Sequence, residues 1–157
     1  MKLDTVDDAT NLALDTYVKL LRASQTVHAR ATRTLAQHEL SAGQFAVLEA
    51  LHHVGPLCLT DLARKVLMTG GNITMIVSNL VKRGLAKRVA GAKDRRFVTA
   101  EITPAGRRLM DRIFPEHAEA IKELMSALSA QQQRRLGRLC RRLGRKAAEA
   151  ASSDDAE

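Results

Sequence analysis

The sequence predicts a mainly α-helical fold that contains one β-hairpin, and two patterns lead to this prediction. Apolar residues recur at helical spacing from Leu12 to Leu35, in the stretch LSAGQFAVLEAL, and again beyond Thr103. After Gly84 the helical period gives way to alternation of side chains, and a second alternating run begins at Val98. The chain is therefore expected to have helices on both sides of a two-stranded hairpin.

Capping residues indicate where the first helices begin and end. Ser41 and Gln44 have the spacing of a capping box, which opens the second helix. Thr60 is the predicted N-cap of a short third helix in LTDLARKV, and Thr69 is the predicted N-cap of a fourth. Gly84 is expected to close the fourth helix in the left-handed conformation. Two short helices separated by so few residues predict a helix-turn-helix unit.

The C-terminal third of the chain is also predicted to be helical. Thr103 is the expected N-cap of a helix, and Pro104 suits its first position, where the missing N–H has no helical partner. Pro115 lies inside the same apolar pattern and predicts a kink or a short break. A last helix is predicted from about residue 130 to about residue 150. The polar stretch ASSDDAE, residues 151–157, is predicted to be a disordered tail.

Positive charge is concentrated in the middle of the chain. The net charge is +8, and the segment Thr60–Ala100 alone contributes +7, with nine Lys or Arg residues against two acidic residues. A local basic field of this kind raises the local concentration of polyanions such as nucleic acid. The alternative interpretation is a solvated, lysine-rich surface without a partner.

Several classes of protein find no support in the sequence. No apolar run approaches the roughly 18–20 residues of a membrane span, and the acidic, polar N-terminus is unlike a secretory signal, so no membrane partner is expected. Cys58 and Cys140 match neither a metal nor a disulfide framework, which favours a cytoplasmic location. The sequence contains no nucleophile elbow, P-loop, HExxH or dinucleotide motif. We therefore predict that the chain is not an enzyme and uses no cofactor.

The fourth helix has an outward face that suits DNA. Its inward positions are apolar, whereas its outward positions are short, polar and free of acidic residues. Such side chains suit hydrogen bonds to base edges and phosphates in a major groove, and Met75 suits a thymine methyl group. The predicted DNA-binding residues of this helix and its cap are Thr69, Gly71, Asn72, Thr74, Met75, Ser78 and Lys82.

The loop of the hairpin, GAKDRRFV, provides a second predicted DNA contact. Arg95 and Arg96 are expected at its tip, and arginine is favoured in a narrow minor groove because negative potential is concentrated there. Asp94 would be repelled by phosphate, so we expect it to pair with a nearby arginine and hold the loop in shape. Lys93, in the loop, and Arg88, in the strand that leads to it, complete the predicted contacts. The alternative is a flexible charged turn.

In the order of its elements the chain resembles the MarR family of bacterial transcription regulators, from roughly Leu12 to Ala147. The stretches that carry this resemblance are LSAGQFAVLEAL, LTDLARKV, GGNITMIVSNLVKRGLAKR and DRRFVTAEITPAG, and the Asp-x-Arg of the family's wing falls on Asp94 and Arg96. The resemblance implies a winged helix-turn-helix with a two-stranded wing. It also implies a homodimer that binds a palindromic operator, and a repressor that a small phenolic or anionic effector releases.

These patterns divide the chain into four predicted segments. Residues 1–37 form the first helix of a dimerisation region, residues 38–103 the DNA-binding winged unit, residues 104–150 the C-terminal dimerisation helices, and residues 151–157 the tail. The terminal helices carry broad apolar stripes that one subunit of this length cannot wholly bury, which agrees with the homodimer. The main alternative function is a winged helix that docks other proteins without specific DNA binding.

Histidine, cysteine and arginine residues raise further alternatives. His52 and His53 diverge by about 100° on a helix, so no metal site is predicted, and we place them instead in an effector pocket. Cys140 is predicted to be a packed small hydrophobic residue, and a metal-sensing or redox-sensing regulator remains an alternative. The stretch RRLGRLCRRLGRK is expected to be the solvated face of a dimerisation helix or a second DNA contact.

Overall fold

The computed structural model describes residues 5–90 and 98–154 of the 157-residue chain. The residues cluster into two compact units, and the boundary between them lies between Ala118 and Glu119. The helices are α1 (Asp8–Ala31), α2 (Ala42–Val54), α3 (Leu59–Lys65), α4 (Gly70–Lys82), α5 (Pro104–Met125) and α6 (Ala130–Asp154), and a 3₁₀ helix covers Arg33–His38. The strands are β1 (Leu57–Cys58), β2 (Ala86–Ala90) and β3 (Val98–Ile102).

Helix α1 begins at an aspartate cap and ends earlier than predicted. The Thr10 N–H donates to Asp7 Oδ1 at 2.7 Å, and this hydrogen bond lowers the pKa of the Asp7 carboxyl. At the other end, the Thr32 hydroxyl donates to the His28 carbonyl at 2.8 Å, and Thr32 is the C-cap. Leu35, which we expected on the same helix, is buried on the 3₁₀ helix instead.

The sequence predicted the N-cap of α2 correctly but not that of α3. The capping box of Ser41 and Gln44 at the start of α2 is confirmed. The prediction that Thr60 caps α3 was wrong, because the cap is Cys58, whose sulfur accepts the Asp61 N–H at 3.4 Å. The backbone of Cys58 is extended and Leu59 is already helical, which places Thr60 inside the first turn.

The hairpin belongs to a three-stranded antiparallel sheet with the order β1-β3-β2. In β2 and β3, Lys87 lies opposite Glu101, and their side chains form an ion pair at 2.8 Å. On the other side of β3, Leu57 pairs with Ala100. The sequence predicted only two strands, since β1 has two residues and is too short to show alternation.

The core of the first unit lies between α2, α3, α4, the sheet and α5. Its members that are almost fully buried include Leu48, Leu51, Leu62, Val77, Leu80 and Met110. The predicted cap of α4 is confirmed, because Thr69 Oγ1 accepts the Asn72 N–H at 3.4 Å, and Gly84 has the predicted left-handed backbone with φ of 68°. The core therefore fixes the orientation of α4 and leaves one of its faces outside.

A close approach between the sheet and α5 requires glycine at position 106. A Cβ atom on Gly106 would lie 2.2 Å from the Leu85 carbonyl oxygen. The Thr103 hydroxyl holds the same junction, because it donates to the Gly84 carbonyl at 2.7 Å and accepts the Gly106 N–H at 3.1 Å. The predicted cap at Thr103 is thereby confirmed, and the start of α5 is tied to the end of α4.

We expect the substitution Gly106→Ala to lower the free energy of unfolding by about 1–3 kcal/mol, because backbone atoms must move to admit the methyl group. Gly71→Ala is the matched control, since Gly71 lies in a helix with nothing within 4 Å of its added Cβ. The control should raise the free energy of unfolding by up to about 1 kcal/mol. Urea denaturation at a fixed protein concentration measures both, and equal effects would contradict the steric argument.

The C-terminal helices differ from the prediction in two details. Helix α5 continues through Pro115, so the predicted short break is absent. Helix α6 begins with a second capping box, in which Ser129 Oγ accepts the Gln132 N–H and Gln132 Oε1 accepts the Ser129 N–H. It ends at Asp154, so the first four residues of the predicted disordered tail are helical. Among the described residues, no helix is long and apolar enough to cross a membrane.

Candidate nucleic-acid interface

The two faces of α4 have the polarity that the sequence predicted. The inward residues, which are Ile73, Ile76, Val77 and Leu80, are all buried. On the outward face Gly71, Asn72, Thr74 and Lys82 are exposed, Met75 is 58% exposed and Ser78 is half-buried. The helix contains no acidic residue, so its outward face presents hydrogen-bonding groups without repelling phosphate.

Arg88 of strand β2 lies against this outward face. Its Nη2 donates to Ser78 Oγ at 2.8 Å and to the Thr74 carbonyl oxygen at 3.0 Å. The Ser78 hydroxyl itself donates to the same Thr74 carbonyl at 2.8 Å. The sequence placed Arg88 only on the strand that leads to the hairpin tip, so the structure adds a positive charge to the surface of α4.

The C-terminal end of α4 is also basic and is tied to a distant turn. Lys82 is exposed in the last turn, and Arg83 is the C-cap. Arg83 Nη1 donates to the carbonyl oxygen of Glu39, a residue with a left-handed backbone, at 2.6 Å. This contact fixes the end of the helix while Lys82 stays exposed to solvent.

The strands of the hairpin are described, but its tip is not. The predicted tip contacts Lys93, Asp94, Arg95 and Arg96 lie outside the described residues. The register of β2 and β3 joins Ala90 to Val98, so the two strands enter the loop from paired positions. The tip contacts therefore stay a prediction from the sequence.

Comparison with known proteins decides the family. The model of the MarR family matches residues 38–96, which contain α2, β1, α3, α4 and β2. The HTH-type transcriptional regulator MhqR of Bacillus subtilis is 34% identical over 135 residues, which cover 86% of this chain and 93% of that protein. The chain belongs to the MarR family. It is a transcriptional regulator, and the prediction that it is not an enzyme is confirmed.

Solved structures of MarR-family regulators share the fold. BpsR of Bordetella bronchiseptica, whose DNA binding is regulated by 6-hydroxynicotinic acid, matches with a TM-score of 0.76 and 25% identity over 83% of this chain and 98% of that one. Sco3205 of Streptomyces coelicolor, solved in complex with DNA, matches with a TM-score of 0.79 and 22% identity over 88% of both chains. The predicted winged helix-turn-helix fold is confirmed, with β1 as an additional strand.

The two histidines that we placed in an effector pocket have different surroundings in this MarR-family chain. His52 Nε2 lies 2.9 Å from Asp111 Oδ1 of α5, so this ring is held by an acidic partner. His53 lies against Phe114, with 4.9 Å between the ring centroids. A cavity of about 340 Å³ is lined by His53 but not by His52, and its other lining residues are Ala46, Glu49, Ala50, Val54, Lys65 and Val66. The sequence did not indicate the contribution of α3 to this cavity.

Two further residues that raised alternatives in the sequence are His117, which is packed in the core, and Cys140, which is exposed. His117 is buried, its Nδ1 lies 3.1 Å from the Ala31 carbonyl oxygen, and its ring centroid lies 4.4 Å from that of Phe45. No cluster of three His, Cys, Asp or Glu residues suited to a metal occurs within residues 5–90 and 98–154. Cys140, which we predicted to be packed, is exposed in the single chain.

Proposed function

We propose that this regulator binds duplex DNA as a homodimer, with α4 of each subunit in a major groove of a palindromic operator. The observation that carries the proposal is the exposed, acid-free face of α4 with Lys82 and Arg88 beside it. In this interpretation residues 38–103 form the DNA-binding unit, and residues 1–37 and 104–150 form the dimerisation region.

Each predicted contact has a role that follows from its chemistry. Thr69, Gly71 and Asn72 lie at the start of α4, where backbone N–H groups and the helix dipole favour phosphate. Thr74 and Met75 face base edges, Ser78 lies on the same face of the helix, and Lys82 contacts phosphate. The wing extends towards the flanking minor groove, where Lys93, Arg95 and Arg96 bind and Asp94 keeps the loop in shape.

Exposed apolar residues on the terminal helices support the dimer. On α1, Leu12, Leu14, Tyr17, Leu21 and Val27 are exposed, and on α6, Leu136, Leu139 and Leu143 are exposed. The three leucines of α6 follow spacings of three and four residues and so share one helix face, which favours burial against another apolar surface. A second copy of the chain provides that surface, and its two-fold axis places the two α4 helices about 34 Å apart or at a multiple of that spacing.

A small effector is the proposed signal, and repression in the cytoplasm is the proposed outcome. The cavity beside His53 has Glu49, Lys65 and the ring of His53 as polar groups among apolar ones, which suits a small phenolic compound, or an anionic one whose charge is bound by Lys65. Regulation of BpsR by 6-hydroxynicotinic acid supports an effector of this kind. The effector changes operator affinity only if it prefers one spacing of the winged units over the other.

Selection of bound duplexes from a random pool at physiological salt tests this function. We expect an inverted repeat with half-sites about 10–10.5 bp apart, or a multiple of this spacing. Enrichment of a sequence without two-fold symmetry would contradict the homodimer, and enrichment of no duplex would contradict DNA binding itself.

The substitution Asn72→Asp makes the selection sharper. Aspartate is nearly isosteric with asparagine and adds one negative charge to the exposed start of α4. A negative charge at a helix N-terminus interacts favourably with the helix dipole, so loss of binding would not reflect unfolding. We expect the variant to enrich no operator. Gln131→Glu, which adds the same charge to the first turn of α6, is the matched control and should select the same sequence as the unsubstituted protein.

A further inference from the structure

The guanidinium of Arg88 is anchored through one of its nitrogens only. Both hydrogen bonds, to Ser78 Oγ at 2.8 Å and to the Thr74 carbonyl at 3.0 Å, come from Nη2. Within residues 5–90 and 98–154, Nη1 and Nε make no hydrogen bond and Arg88 forms no ion pair. Three N–H groups of a permanently charged side chain therefore remain available on the surface of α4.

Ser78 has little capacity left for a base of its own. A serine hydroxyl has one proton and two lone pairs. The proton is donated to the Thr74 carbonyl at 2.8 Å, and one lone pair accepts from Arg88. Ser78 therefore influences a ligand mainly through the arginine that it holds.

An arginine held in this way is preorganised for binding a hydrogen-bond acceptor. A free arginine loses rotamer freedom when it contacts DNA, whereas Arg88 is already held in one position by two hydrogen bonds. The remaining N–H groups require acceptors, and DNA offers them as phosphate oxygens and as O6 and N7 of guanine. The two sources share the same chemistry, which is an acceptor within reach of a fixed positive charge.

We propose that Arg88 contacts DNA as part of the α4 surface rather than the wing, and that Ser78 is the positioning residue that holds it there. This inference rests on the DNA-binding function proposed above and adds a residue pair that acts as one unit. A purely structural tie between β2 and α4 would affect stability but would leave the base preference and the salt slope of operator binding unchanged.

A double-mutant cycle on the full-length protein tests the pair, with fluorescence anisotropy on the selected operator. We expect Arg88→Ala to weaken binding by about tenfold or more, and Ser78→Ala by a smaller factor. In the Arg88→Ala background, Ser78→Ala should have no further effect, because the group that it positions is absent. Ser78→Thr keeps the hydroxyl and should restore most of the affinity.

Lys82→Ala is the matched control for the cycle. Lys82 is an exposed cation on the same helix, and its described surroundings include no hydrogen bond to Ser78 or Arg88. Its effect should therefore add to that of Arg88→Ala. If Arg88→Ala does not fold, as judged by circular dichroism, Arg88→Lys replaces it, because lysine keeps the charge but lacks the second amino group of the guanidinium.

Two further measurements distinguish the acceptors. If Arg88 binds a phosphate, Arg88→Ala should weaken all duplexes alike and reduce the salt slope by about 0.9 for each phosphate that is no longer neutralised. If it binds guanine, the weakening should be confined to one position in each half-site. Operators with single base substitutions, titrated at several salt concentrations, separate these two results, and both support the proposed role of Arg88.

Three results would overturn the inference or its foundation. Normal operator binding by Arg88→Ala with a lower melting temperature would show a structural tie alone. An equal effect of Ser78→Ala in both backgrounds would separate the two residues. Failure of the unsubstituted protein to bind any duplex would instead reject the proposed function, so the two failures are distinguishable.

Discussion

Raising the salt concentration from about 50 to about 200 mM is expected to weaken operator binding by at least about 10³-fold, because counterion release makes binding steeply salt-dependent when six or more phosphates are neutralised. Each subunit brings five cations to the proposed interface, which are Lys82, Arg88, Lys93, Arg95 and Arg96. Two subunits can neutralise six phosphates even if some of these residues bind bases. Fluorescence anisotropy at several salt concentrations gives the slope of log Kd against log salt.

The salt experiment has a control on the DNA and one on the protein. An unrelated duplex of the same length should bind more weakly with a similarly steep slope, since phosphate binding does not depend on sequence. Replacing both tip arginines, Arg95→Gln with Arg96→Gln, should reduce the slope by about 0.9 for each phosphate that the wild-type arginines neutralise. A Kd that is insensitive to salt, or no DNA affinity at low salt, would contradict the DNA-binding proposal and favour a protein-docking module.

Features that depend on neighbouring residues were predictable from the sequence. The caps at Ser41, Thr69 and Thr103 and the buried face of α4 follow from side chains within one or two helical turns. The left-handed backbone at Gly84 was predictable for the same reason. Local chemistry thus determines where these helices begin and end and which face of α4 reaches solvent.

Features that depend on distant residues were not predictable. The hydrogen bond of Arg88 to Ser78 joins a strand to a helix, and the interaction of His52 with Asp111 joins residues 59 positions apart. Helical spacing gives the direction of His52 but does not identify its acidic partner on α5. The cap at Cys58 was missed for another reason, because sulfur is an uncommon N-cap acceptor and Thr60 offered a preferred one.

The arrangement at Arg88 has a consequence for how the helix and the wing work together. Strand β2 begins just after α4 and is the first strand of the wing. A side chain of β2 that is bound to α4 therefore ties the two proposed DNA-binding elements, α4 and the wing, to each other. A shift of the wing relative to α4 would break hydrogen bonds at 2.8 and 3.0 Å. The winged unit is therefore expected to move on DNA as one body, and the proposed effector is expected to act on the spacing between two such bodies.

Glutamate at two leucines of α6, Leu139→Glu with Leu143→Glu, is expected to convert the protein to a monomer and to abolish detectable operator binding. In the single chain these leucines are 46% and 54% exposed and lie four residues apart on one helix face. In the proposed dimer that face is buried, and an unpaired buried charge costs several kcal/mol. A monomer can bind only one half-site at a time. It therefore loses the part of the binding free energy that the second half-site contributes when two linked subunits bind jointly.

The matched control lies on the arginine face of the same helix. Arg138→Gln with Arg142→Gln changes the net charge by the same two units but leaves the leucines intact, so it should keep the dimer. Analytical ultracentrifugation should give twice the chain mass of 17.2 kDa for the unsubstituted protein and the control, and the single mass for the leucine variant. A leucine variant that remains dimeric would place the interface elsewhere. If the unsubstituted protein is monomeric but still selects a palindrome, the two chains must dimerise only on DNA.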